Sequence, residues 1–167
     1  MSAAPQPASP GVHATALIYG ESGLLIRGPS GAGKSSLALA LLIRARDCGL
    51  FAALVGDDRV YLAPMAGRLI ARGAEVGSGQ IERRMSGLVG VAHEPAAVIR
   101  LVVDLSPRAE PWPRMPLTED ETAEFDGIVL PRLALDSKQG PYDHAIAAHE
   151  RLTALAADKS GGMTNFP

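Results

Sequence analysis

One segment of the chain has the residue types and the spacing that bind phosphate groups. It matches the pattern G-x-x-x-x-G-K-[ST] at every position and reads Gly28, Pro29, Ser30, Gly31, Ala32, Gly33, Lys34, Ser35. Its three glycines allow a tight turn in which successive N–H groups point inward at phosphate oxygens. The alternative is a glycine-rich turn before a helix, but a chance match is rare, about one in three hundred for this composition. We predict that these residues and Ser36 bind a nucleotide.

The flanks of this segment indicate how its polar side chains act. An apolar run over residues 24–27 precedes it and a helical pattern over residues 35–47 follows it, so the positive end of a helix dipole faces the phosphates. Lys34 offers an ammonium group to the β- and γ-phosphates, and the Ser35 hydroxyl is a ligand for Mg²⁺. The chain has only three lysines against thirteen arginines, which singles Lys34 out.

Two adjacent aspartates are candidates for completing a metal site. Asp57 and Asp58 follow the apolar run 51–55, and ligands bind at the carboxyl ends of strands in such sheets. One carboxylate can hold Mg²⁺, while its neighbour, pointing the other way, can contact an attacking hydroxyl as a general base. A solvated Asp-Asp turn is the alternative. The phosphate-binding segment upstream favours the functional interpretation.

The elements that must position these residues are short and mixed, which predicts an α/β fold. Strands are predicted over residues 12–19, 24–27, 50–55, 60–63, 68–71, 97–105 and 128–133. Helices are predicted over residues 35–47 and 142–158, with a short one after Thr118 that ends at Phe125. Glycine-flanked charges at residues 82–84 are typical of a flexible loop.

Composition and charge exclude several classes of function. The 167 residues have a formal net charge of -2, which gives no electrostatic reason to bind nucleic acid or an anionic membrane. A single cysteine cannot form an intramolecular disulfide bond. The first ten residues have no signal-peptide pattern, and no apolar run is long enough to span a membrane. We expect a cytoplasmic protein with a flexible segment at residues 1–11, one catalytic domain at 12–158 and a flexible tail at 159–167.

In four places the sequence resembles the catalytic domain of HPr kinase/phosphorylase, over the span from His13 to Arg132. His13 begins a strand before the phosphate-binding segment, a Leu/Ala helix follows that segment, and the paired aspartates come next. Residues 81–89 then resemble the family's Glu-x-Arg-Gly-x-Gly signature, with Glu82, Arg84 and Gly87 aligned. The four features in this order are specific. The resemblance is to the short proteobacterial form, which lacks the N-terminal domain of longer members.

The resemblance implies a P-loop kinase domain of the HPr kinase/phosphoenolpyruvate carboxykinase type, with a mixed sheet of short strands and a few helices. It implies an ATP- and Mg²⁺-dependent protein serine kinase that phosphorylates the phosphocarrier protein HPr and also dephosphorylates it by phosphorolysis. It also implies a homo-oligomer, expected to be a hexamer. The implied catalytic residues are His13, Lys34, Asp58, Arg84 and Arg114. The implied metal ligands are Ser35, Asp57 and Glu82.

Two other functions are compatible with the same motifs. One is a kinase that uses the phosphate-binding segment to phosphorylate a small molecule. The other is a regulatory module that binds ATP without catalysis. The chain also departs from the family: residues 85–86 read Met-Ser where Gly-Leu is usual, and the family's arginine-rich dephosphorylation loop is matched only at residues 130–133.

Overall fold

A computed structural model of the chain describes residues 10–74, 79–83, 86–107 and 121–161. Within these ranges the chain forms ten strands and two helices. The strands are β1 Ala14–Tyr19, β2 Ser22–Arg27, β3 Ala52–Gly56, β4 Val60–Met65, β5 Arg68–Gly73, β6 Gln80–Arg83, β7 Gly87–Gly90, β8 Ala96–Ser106, β9 Thr122–Phe125 and β10 Ile128–Asp136. The helices are α1 Lys34–Asp47 and α2 Pro141–Gly161.

Eight strands form one mixed sheet whose topology gathers several loops at one edge. The strand order is β3-β1-β2-β8-β10-β9, with β5 paired to the first part of β8 and β4 paired to β5. Strands β2, β8 and β10 run parallel, whereas β1 is antiparallel to both β2 and β3. Strand β3 therefore runs in the direction of β2, and β1 starts where these strands end. The residues after β2 and β3 and those before β1 meet there; we call this the carboxyl edge.

The two faces of the sheet are buried under different elements, because side chains alternate along each strand. On β2, Leu24 and Ile26 pack in a core with α1 and α2. Between them, Leu25 points to the other face and packs in a second core with residues of β4 and β5. Helix α1 is held against the first core by a buried stripe that consists of Leu37, Ala38, Leu41 and Ala45.

Residues 82 and 83 of the predicted loop are instead part of a two-stranded hairpin. Strands β6 and β7 pair antiparallel, from Gln80 opposite Gly90 to Arg83 opposite Gly87. Ile81 is fully buried in the first core, so the hairpin is anchored on helix α1 rather than free in solvent. The alternation that buries Ile81 leaves Glu82 exposed.

The short helix predicted between Thr118 and Phe125 is wrong where the structure describes it. Residues 122–125 form strand β9, which pairs with β10. The two strands are joined by Asp126 and Gly127, both with positive φ, at 48° and 79°. An Asp-Gly pair with these angles is a strong hairpin signal, and it outweighs the capping pattern upstream. Phe125 then packs against the second core.

The other predicted elements have close counterparts in the structure, except that α2 begins at Pro141 and continues to Gly161. Neither of the helices in the described ranges is both long enough and apolar enough to cross a membrane. The division into a flexible head, one domain and a flexible tail stays a prediction.

We predict that Gly73→Ala destabilises the fold and disturbs the carboxyl edge. A Cβ on Gly73 would overlap the carbonyl oxygen of Val55, where β5 passes the end of β3. Overpacking of this kind costs about 1–3 kcal/mol, which urea denaturation measures as a lower free energy of unfolding. The control is Gly90→Ala, whose new methyl group meets no atom within 4 Å. Equal stability of the two variants would contradict the prediction.

Candidate active site

The segment between β2 and α1 has the geometry of an anion-binding loop. Gly33 precedes the helix in a left-handed conformation, with φ of 99°, and no side chain caps the helix. The first intrahelical bond runs from the Leu37 N–H to the Gly33 carbonyl, at 2.9 Å. The N–H groups of Lys34, Ser35 and Ser36 precede it and find no carbonyl within the helix. With no acidic residue in this first turn, the helix N-terminus is open to a phosphate group.

The ammonium group of Lys34 lies against the loop itself. Lys34 is 6% exposed, and its Nζ donates to the carbonyl oxygens of Gly28 at 3.0 Å and Pro29 at 3.1 Å. Burial lowers the pKa of Lys34 from its ordinary value, against the smaller opposite effect of Asp58 and Asp57. A lysine held in this way is directed along the loop, where a phosphate chain bound by the N–H groups would pass.

The two adjacent aspartates point in different directions and have different partners. Oδ1 of Asp57 accepts hydrogen bonds from Thr15 Oγ1, at 2.6 Å, and from Ser35 Oγ, at 3.0 Å. Asp58 has a φ of 69°, and its Oδ1 lies 2.8 Å from Nε2 of His13. The side chain of Asp58 is 83% exposed, and that of His13 is 47% exposed. One carboxylate is thus hydrogen-bonded to the phosphate-binding loop, and the other faces solvent.

The oxygen atoms of Ser35 and Asp57 fit a Mg²⁺ ion. A hydroxyl and a carboxylate 3.0 Å apart are hard ligands of the kind that Mg²⁺ takes, along with waters and substrate phosphates. In the described part of the chain no three His, Cys, Asp or Glu side chains group as a metal cluster. Because Mg²⁺ commonly uses only one or two carboxylates, that finding agrees with a site completed by nucleotide phosphates.

Of the remaining predicted residues, only Glu82 lies in the described ranges, and the structure does not join it to this pair. Glu82 is exposed on β6, and across the described ranges no hydrogen bond joins it to Asp57 or Ser35. Arg84 and Arg114 lie outside the described residues. The roles of these three residues stay predictions.

Thr15 is a contributor to the site that the sequence analysis did not find. It is fully buried on β1, 42 residues from the aspartate it contacts. A polar residue inside an otherwise apolar strand is the only local signal for it. Its hydroxyl donates to Oδ1 of Asp57, the same oxygen atom that accepts from Ser35, and so helps to orient this carboxylate.

No family model matches the chain. Curated proteins do match: the chain is 40% identical over 75 residues to the HPr kinase/phosphorylase of Clostridium perfringens strain SM101. It is also 40% identical over 74 residues to that of Clostridium tetani strain E88. The matched segment is 45% of this chain and 22% of the relative in the first case. The match thus spans about a fifth of the length of these curated relatives.

A solved structure extends the likeness to most of the chain. The Hpr(Ser) kinase/phosphatase from Coxiella burnetii superposes with a TM-score of 0.70, over 89% of this chain and 99% of that one, at 24% sequence identity. The chain has the HPr kinase fold. This confirms the predicted resemblance and the predicted fold class, an α/β P-loop kinase domain with a mixed sheet of short strands and, in the described ranges, two helices.

In this HPr kinase fold we predict that Lys34→Ala weakens the binding of inorganic triphosphate. Hydrogen bonds from a charged donor contribute about 1.5–3 kcal/mol, so the Kd should rise tenfold to a hundredfold. Lys34→Arg should not restore binding, because a guanidinium fork does not fit where a compact ammonium lies. Isothermal titration calorimetry measures the effect, with Lys138→Ala, at an exposed turn, as the control. A Lys34→Ala variant that binds as tightly as the wild type would rule out this role.

Proposed function

We propose that the protein is an ATP- and Mg²⁺-dependent protein serine kinase that phosphorylates an HPr-type phosphocarrier protein and also dephosphorylates it by phosphorolysis, in which inorganic phosphate takes the phosphoryl group and leaves as pyrophosphate. The observation that carries the proposal is the divergence of the two adjacent aspartates. Asp57 is bonded to the phosphate-binding loop through Ser35, while Asp58 is exposed beside His13. The likeness to named HPr kinase/phosphorylases supports the choice of acceptor.

In the proposed reaction the chain holds the nucleotide and activates the acceptor at separate places. The N–H groups that open α1 and the Lys34 ammonium bind the phosphates, and Ser35 and Asp57 would hold Mg²⁺. The ion, when bound, neutralises charge that develops on the transferring phosphoryl group. Asp58 takes the proton of the seryl hydroxyl as its oxygen attacks the γ-phosphorus, and the bond to the ADP oxygen breaks. His13 holds the Asp58 carboxylate in place through their 2.8 Å contact.

The exposure of Asp58 favours a protein as the acceptor over a metabolite. A small substrate is normally enclosed in a concave pocket, whereas the Asp58 side chain is almost fully open to solvent. A seryl hydroxyl on a protein surface can approach such a carboxylate directly.

On the resemblance we include Glu82 among the metal ligands, and Arg84 and Arg114 among the catalytic residues. We also propose a homo-hexamer and a cytoplasmic location on that basis.

The direct test is a phosphotransfer assay with purified protein and HPr from the same organism. It is run forward with ATP and Mg²⁺ and backward with phosphorylated HPr and inorganic phosphate. Transfer to HPr in preference to free serine supports the protein kinase. Transfer to small hydroxyl compounds alone, or nucleotide binding without any transfer, would favour one of the two other functions.

We predict that Asp58→Asn removes phosphotransfer and leaves ATP binding intact. General-base catalysis contributes about 10²–10⁴-fold, so kcat should fall by that factor while the Kd for ATP stays within twofold. Asparagine tolerates the left-handed backbone at this position, so the fold is kept. The matched control is Asp126→Asn, at another exposed aspartate with positive φ, 48°. If Asp58→Asn turns over at the wild-type rate, Asp58 is not the general base.

We predict that Ser35→Ala raises the Mg²⁺ concentration needed for half-maximal ATP binding about fivefold to a hundredfold. The change removes a hydroxyl ligand next to Asp57, and losing one hydrogen-bonding or ligand group of this kind costs about 1–3 kcal/mol. Ser36→Ala is the control, because it keeps the backbone N–H and removes the neighbouring hydroxyl. Titration of Mg²⁺ at fixed ATP separates them. Identical Mg²⁺ curves for the two variants would contradict the assignment of Ser35.

A further inference from the structure

The point where the phosphate-binding loop leaves the sheet rests on strand β8. Gly28, the first residue of the loop, has a φ of 152°. A Cβ placed on it would lie 2.5 Å from the carbonyl oxygen of Leu105. The backbone of the loop therefore lies directly on the backbone of β8. Any displacement of β8 relative to β2 moves the start of the loop.

A carboxylate on β8 holds the residue just before the loop. Nε and Nη2 of Arg27 donate to Oδ1 and Oδ2 of Asp104, both at 2.7 Å. The two residues are the last pair in the register between β2 and β8. Because a two-point bond sets orientation as well as distance, the end of β2 is fixed where the loop begins.

A second arginine completes this group, which we call the Asp104 clamp: Arg27, Asp104 and Arg132. Nε of Arg132 donates to Oδ2 of Asp104 at 2.5 Å, and the Asp104 side chain is 14% exposed. The guanidinium of Arg27 also lies 5.2 Å from the ring centre of Phe125. Burial raises the pKa of Asp104, but the hydrogen bonds and charges of the two arginines outweigh it and keep the pKa below its ordinary value. The clamp is therefore ionised at neutral pH.

The clamp is not needed merely to join the two strands. The three residue pairs that precede the clamp along β2 and β8 already join the strands, and all six of their side chains are fully buried: Leu24 with Leu101, Leu25 with Val102 and Ile26 with Val103. A partly buried ion pair adds little to such a ladder, since desolvation offsets much of its Coulomb energy. What the clamp adds is the orientation of residue 27, one residue before the loop.

We propose that Asp104 is a positioning residue for the phosphate-binding loop and acts through Arg27. It holds the first residues of the loop where their N–H groups and Lys34 reach the phosphates. Lys34 depends on the same placement, because its ammonium donates to the carbonyls of Gly28 and Pro29. The inference rests on the proposed function in one respect, that the loop binds ATP.

The test compares three variants by ATP affinity and by melting temperature. Asp104→Asn and Arg27→Gln each break the two-point bond, and each should raise the Kd for ATP about tenfold, since the loop must then be ordered on binding. Arg132→Gln is the matched control: it removes a cation from the same carboxylate but leaves Arg27 bound. Its Kd should change less than threefold. The double variant with Asp104→Asn and Arg27→Gln should bind no more weakly than either single one.

A milder variant keeps the test decisive if these proteins fold poorly. Arg27→Lys retains the charge and loses the fork, so it should reproduce the rise in Kd. Unchanged ATP affinity in Arg27→Lys and Asp104→Asn overturns the inference. The inference is also overturned if the Kd for ATP rises in every variant, Arg132→Gln included, in proportion to the loss of melting temperature. Wild-type protein that fails to bind ATP overturns the proposed function and this inference together. If the wild-type protein binds ATP and the clamp variants bind it equally well, only the inference about Asp104 is overturned, and the proposed function stands.

Discussion

The carboxylate of Asp57 ties together three elements that the rest of the site depends on. It follows β3, accepts a hydrogen bond from Thr15 on β1, and accepts another from Ser35 in the first turn of α1. These elements meet because β1 is antiparallel to its neighbours, so its first residues lie beside the last residues of β2 and β3. The helix that carries the phosphate-binding loop is thereby attached to the sheet by a side chain that also fits a metal ion.

The contrast between Asp57 and Asp58 follows from this attachment. Oδ1 of Asp57 accepts hydrogen bonds from two hydroxyl groups. Asp58, one residue later with a left-handed backbone, is exposed beside His13. Two identical carboxylates thus acquire different environments, one bonded to the phosphate-binding loop through Ser35 and one in solvent. Different environments are what separate a metal ligand from a base. The charges of both aspartates act to raise the pKa of Lys34, against the larger effect of its burial.

Backbone contacts set the position of the carboxyl edge as much as side chains do. Gly28 lies on Leu105 and Gly73 lies on Val55, in each case with no room for a Cβ. Each contact lies at or just before a loop that carries the candidate site. The Asp104 clamp adds side-chain hydrogen bonds to these backbone contacts, because Asp104 on β8 holds Arg27 at the end of β2. The site is therefore placed by the neighbouring strands, and the loop residues supply the chemistry.

What could be predicted from the sequence was local. The phosphate-binding loop is one run of eight residues, and the paired aspartates directly follow a strand, so residue order alone identified them. Strand β9 was missed because a capping pattern was given more weight than the Asp-Gly turn at residues 126–127. Thr15 lies 42 residues from its partner Asp57, and Asp104 lies 77 residues from its partner Arg27. Their pairing depends on strand register. Register is decided when the buried faces pack, because a shift of one residue would move the apolar side chains of a strand to the opposite face of the sheet. The sequence by itself therefore determined which groups can do the chemistry, and only the tertiary structure decided which of them meet.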